Sequence, residues 1–127
     1  MRILILGGTG FIGSWVTRSL AEGGSEVAVF HRGKTQAALP VGVREILGDR
    51  KAFDESRDAL QSFRPNVVVD IALYTEGAAK AVVDLFRGHA GRLVVLSSVE
   101  AASRARSRGS PLSRVAAAAK VGPRARR

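Results

Sequence analysis

The 127-residue sequence predicts an α/β protein: a doubly wound parallel sheet of five strands with helices on both faces. Three observations carry this. Short apolar runs alternate with segments of helical period from residue 2 to about residue 98. The strand candidates are nearly continuous in apolar residues, as strands covered on both faces are. A glycine-rich turn follows the first strand and opens the first helix. Right-handed crossovers then give the strand order 3-2-1-4-5.

"RILIL" (2 to 6) is the first strand, ended by "GGTG". "FIGSWVTRSLAEGG" places Phe11, Ile12, Trp15, Val16 and Leu20 at helical spacing and stops at Gly23-Gly24. That spacing assigns Trp15 to the core. "EVAVF" is the second strand and "VREIL" (43 to 47) the third. The link between them, "HRGKTQAALPVG", is too short and too punctuated by glycine and proline for a full helix. "DESRDALQSF" has an acidic first turn and apolar residues at 59, 60 and 63, so it reads as a helix broken by Pro65-Asn66. "VVVDIAL" is a β-branched fourth strand, with Asp70 near its end in a structural role. "TEGAAKAVVDLFRG" is a helix opened by Thr75 and closed by Gly88, and "RLVVLSS" is the fifth strand.

After Ser98 the periodicity stops. Residues 1–100 hold 12 Lys and Arg and all 11 Asp and Glu, a net of +1. The remaining 8 basic residues lie in 101–127, so the net charge of +9 belongs almost wholly to that tail. The expected organisation is an incomplete α/β domain over 1–100 and a basic, low-complexity tail over 101–127, disordered for the most part. No cysteine is present, which excludes disulfides and thiolate chemistry. Two histidines far apart suggest no metal site. The chain has no apolar run long enough for a membrane span and no signal-peptide pattern, so a cytoplasmic location is expected.

"GGTGFIG" meets G-x-G-x-x-G through Gly8, Gly10 and Gly13, and G-x-x-G-x-x-G through Gly7, Gly10 and Gly13, with Thr9 inside the loop. Strand before, helix after and a second strand within thirty residues supply the context of a Rossmann-like dinucleotide site. Gly10 would admit the phosphates, and Gly13 would let the helix pack close to the strand. The amides of Phe11 and Ile12 would point at the anion from the helix N-terminus.

From this motif, with "LGDR", "VVVDIALYTE" and "RLVVLSS", the first hundred residues resemble the NAD-dependent epimerase/dehydratase family, the extended short-chain dehydrogenases. The resemblance implies a bound NAD or NADP and a substrate such as a nucleotide sugar. NAD-preferring members carry an acid near the position of His31; here Arg32 follows instead, a cation suited to the 2′-phosphate of NADP, which is therefore favoured. The resemblance places Asp49 at the adenine, against a purely turn-forming role, and Ala72 and Leu73 beside the cofactor. It assigns Ser98 to the reacting oxygen and requires a following Tyr-x-x-x-Lys as acid/base. That pair is absent: the one tyrosine is Tyr74, with Ala78 four residues on.

The expected reading is the cofactor-binding front of such an enzyme, truncated and of little activity alone. The tail is expected to be a scrambled end of the kind a shifted reading frame produces, rather than a basic arm. It has no aromatics to stack on bases, which weighs against nucleic acid as a partner. A non-catalytic nucleotide-binding module and a nucleic-acid-binding protein stay as alternatives. With nothing to follow it, the fifth strand is expected to be an open edge inviting self-association, and the last helix to expose Val82, Val83, Leu85 or Phe86.

Overall fold

The computed structural model describes residues 1–34, 38–71 and 75–96. Its elements follow in the order β1 (Arg2–Leu6), α1 (Phe11–Glu22), β2 (Glu26–His31), β3 (Arg44–Leu47), a single 3₁₀ turn (Arg50–Ala52), α2 (Phe53–Ser62), β4 (Val67–Asp70), α3 (Glu76–Phe86) and β5 (Arg92–Val95). The strands form one five-stranded sheet of order β3-β2-β1-β4-β5, with every pairing parallel. This is the predicted doubly wound topology. The predicted strand ends at Ala72, Leu73, Ser97 and Ser98, and the tail, lie outside the described residues.

Strand alternation sorts the core into two layers. Leu4, Leu6, Phe30, Ile46, Val68 and Leu93 face α2 and α3, where they meet Phe53, Leu60, Phe63, Val82, Leu85 and Phe86. Ile3, Ile5, Val27 and Val29 face the other way, against Val16, Leu20 and Ala21 of α1. Val67, Val69 and Ile71 on that second side are only partly buried.

Two expectations are corrected. Trp15 is not in the core: it is 67% exposed, and Phe11 and Ile12 are exposed with it. The reason is Gly13. A Cβ there would collide with the carbonyl oxygen of Gly7 and lie 2.8 Å from the Cα of Gly8, so residue 13 must face the loop. At 3.6 residues per turn that fixes Val16, Thr17 and Leu20 inward, and turns Trp15, about 200° away from residue 13, outward. The second correction concerns α3. Val82, Leu85 and Phe86 are buried, and Val83 is half-buried. The helix lies over the well-covered face of the sheet beside α2, where Gln61 Nε2 donates to the Leu85 carbonyl at 2.9 Å. Among the described residues the exposed apolar surface is on the α1 side instead.

Candidate functional site

In open α/β sheets ligands bind beyond the carboxyl ends of the strands, where the order reverses. Here that point lies between β1 and β4, and a cleft of about 730 Å³ opens along the same edge. It is lined by Gly7 and Thr9 after β1, by Phe30 to Lys34 at the end of β2, by Gly48 to Lys51 after β3, and by Thr75, Gly77, Ala78 and Ala81 at the start of α3.

The glycine loop is built by local chemistry. Gly7 has φ of +85°, a left-handed conformation that favours glycine, and its N–H extends the sheet by donating to the Phe30 carbonyl at 3.0 Å. Thr17, fully buried, directs its hydroxyl at the carbonyls of Gly13 (2.7 Å) and Gly8 (3.2 Å), tying α1 to the loop. Gly10 is the N-cap of α1 and supplies no side-chain acceptor, and no acid lies in the first turn. The first amides of α1 thus keep their donors for an external anion. A Cβ on Gly10 would meet nothing within 4 Å, so glycine is not required there by packing. A close-packed helix, an uncapped N-terminus and open space over Gly10 together fit the diphosphate of a dinucleotide.

At the tip of β2, His31 turns back on its own chain. Its Nδ1 accepts from the Gly33 N–H at 3.0 Å, and its Nε2 lies 3.5 Å from the carboxylate of Glu45. The imidazole therefore shapes the turn. Arg32 and Lys34, both exposed, have no ion-pair partner among the described residues and line the cleft. Asp49 also lines the cleft, while its side chain accepts from the Lys51 N–H at 2.8 Å and caps the 3₁₀ turn.

Gly7, Thr9, His31, Arg32 and Asp49 are thus gathered at one cleft; Gly10, Phe11, Ile12 and Gly13 belong to the loop and helix beside it. Ala72, Leu73 and Ser98 lie outside the described residues. Sequence reasoning missed Lys34, Thr17 and Arg50. Lys34 was visible as a second cation two residues after Arg32. Arg50 reaches the fully buried Asp70 with both terminal nitrogens, one at 2.8 Å, and its guanidinium lies 5.7 Å from the centre of the Phe53 ring. Asp70 thus anchors a cleft-lining cation at the end of β4.

The family model described as "NAD dependent epimerase/dehydratase family" matches residues 3–85, which include the loop and the strands that frame the cleft. The chain belongs to that family. Among curated relatives, 2′-dehydrokanamycin reductase of Streptomyces kanamyceticus is 38% identical over 104 residues, covering 80% of this chain and 29% of the reductase. Among solved structures, the Bordetella bronchiseptica enzyme WbmG in complex with NAD is 24% identical, with a TM-score of 0.64 over 75% of this chain and 36% of that one. The Thermus thermophilus UDP-glucose 4-epimerase complex with NAD is 25% identical, with a TM-score of 0.60 over 70% of this chain and 34% of the epimerase. The epimerase/dehydratase chain therefore spans roughly a third of the length of these relatives. Among the described residues no helix is long and apolar enough to cross a membrane.

Proposed function

We propose that this chain is the NAD(P)-binding portion of an epimerase/dehydratase-like short-chain dehydrogenase, with NADP preferred and little catalysis by itself. The observation that carries it is the glycine loop: an uncapped helix N-terminus opening beside a cleft, held by packing that leaves Gly10 uncrowded. In this reading the amides of Phe11 and Ile12, with Thr9 beside them, hold the diphosphate. Asp49 takes the adenine amino group, and Ala72 and Leu73 pass beside the cofactor. Arg32, with Lys34, takes the 2′-phosphate. Two cations without an ion-pair partner among the described residues, and no acid on the β2 tip itself, support NADP, since a carboxylate there would repel that phosphate.

The nicotinamide supplies hydride transfer when the cofactor is bound. Ser98 would hydrogen-bond the reacting oxygen. These 127 residues contain no Tyr-x-x-x-Lys, and a positioned acid/base contributes about 10²–10⁴-fold, so the chain alone is a slow catalyst. The relatives' names point to oxygen-bearing sugar compounds as the substrate class of a complete enzyme, a nucleotide sugar among them. A cytoplasmic location and self-association through the uncovered apolar surface complete the reading.

The test is a titration with NADPH followed by fluorescence. The parent chain binds, and Gly10→Val weakens binding about 100-fold, the equivalent of roughly 3 kcal/mol, by filling the phosphate's space. Unchanged affinity in the variant would place the ligand elsewhere.

A further inference from the structure

Arg50 is a charged residue that the dinucleotide reading does not use, and the structure fixes it on several sides at once. Its two terminal nitrogens hold both oxygens of Asp70, which is completely buried at the end of β4, in register with Leu6 at the end of β1. The guanidinium also rests over the Phe53 ring, which itself stacks on Phe30 with centroids 5.5 Å apart. Its Nε is buried and makes no hydrogen bond among the described residues. The side chain nevertheless keeps 22% of its surface open, and Arg50 is part of the cleft wall, as are Gly77, Ala78 and Ala81 of α3.

A fork-on-fork pair with a carboxylate fixes the plane of a guanidinium as well as its position. A buried ion pair is weak support for stability, because the desolvation of both charges offsets much of their attraction. Stability is therefore a poor reason for holding this one so tightly. A planar, delocalised cation that rests over an aromatic ring, has its edge on a buried carboxylate and keeps 22% of its side-chain surface open at the cleft offers a surface on which a flat base stacks. The small side chains at 77, 78 and 81 leave the α3 wall without bulk that would compete for that space.

We propose that Arg50 is the stacking surface for the adenine of the dinucleotide, and that Asp70 is a positioning residue that acts through it. The proposal rests on the dinucleotide reading above and adds to it a residue that serves NAD and NADP alike. Base stacking carries no information about the 2′-phosphate. It therefore predicts a loss common to both cofactors, unlike a contact made to that phosphate.

The experiment titrates the full chain with NADP and with NAD, for the parent, Arg50→Lys, Asp70→Asn and the charge-free pair Arg50→Met with Asp70→Leu. Thermal unfolding is followed in each. Arg50→Lys keeps the charge but loses the plane, and is expected to weaken both cofactors by the same factor, about tenfold. Asp70→Asn does the same through a loosened Arg50. The double variant removes both charges of the pair together, and it is expected to bind as weakly as Arg50→Lys or worse. In the parent, nuclear Overhauser contacts between the adenine H2 or H8 protons and the Arg50 δ protons are expected. Absence of those contacts in bound parent chain, unchanged affinities in Arg50→Lys, or a loss confined to NADP would each overturn the assignment while leaving the dinucleotide site intact. A parent chain that binds neither cofactor would bring down both readings.

Discussion

Gly10 and Gly13 stand one helical turn apart and answer to different demands. Residue 13 lacks a side chain because two backbone segments meet there. Gly13→Ala is expected to destabilise the fold by about 1–3 kcal/mol, visible as a lower midpoint in thermal unfolding, since backbone atoms cannot step aside. Gly10→Val should leave that midpoint nearly unchanged, because its Cβ enters open space. The pair thus separates the loop's structural need from its ligand-facing one. Arg32→Ala belongs at this scale too. Loss of one charge-assisted contact to the 2′-phosphate is expected to raise the Kd for NADP about tenfold and to leave NAD unaffected; equal losses would make Arg32 a bystander. The glycines were legible in the sequence because turn chemistry is local. Arg50 and Thr17 were not. Their partners are chosen by tertiary placement: Asp70 is twenty residues from Arg50, and Gly8 is nine from Thr17.

The helix α1 shows where periodicity misleads. Phe11, Ile12, Trp15, Val16 and Leu20 share a helical spacing, yet the stripe that faces the sheet runs through Gly13, Val16, Thr17 and Leu20. Hydrophobicity alone would rotate the helix toward its largest side chains. Close contact at Gly13 overrules it. Strand identities survived the same reading because β-branched runs covered on both faces have few other uses. Trp15 is the protein's one tryptophan, so the rotation can be measured directly. Its fluorescence is expected to be quenched by acrylamide nearly as freely as that of a short peptide. Trp15→Glu should change stability by less than about 0.5 kcal/mol, as exposed positions do. A shielded tryptophan, or a large loss on substitution, would show that α1 sits in another orientation.

Seen whole, the molecule is lopsided. The α2 and α3 side of the sheet is closed over a continuous apolar core, whereas α1 is the one helix over the other face among the described residues. Partly buried Val67, Val69 and Ile71 lie on that side, along with exposed Phe11, Ile12 and Trp15 on α1 itself. Sedimentation velocity over a range of concentrations is expected to show reversible association, and Trp15→Glu to reduce it by placing a charge on the patch. A chain that stays monomeric at every concentration would remove self-association from the reading.

The parallel pairing of β1 also sets a timetable. β1 carries three of the most deeply buried side chains, Leu4, Ile5 and Leu6, and is flanked by β2 and β4, with Ile3 in register with both Val27 and Val67. No hairpin can supply the second neighbour, because each parallel partner waits on a crossover. On a ribosome adding about 5–20 residues per second, the 64 positions from Ile3 to Val67 take roughly 3–13 s to appear. Until Val27 has been added β1 has no neighbour at all, and from there to Val67 it is half satisfied, with an apolar edge in reach of any passing chain. Of the five strands, the one synthesised first is the one that depends longest on protection during its birth.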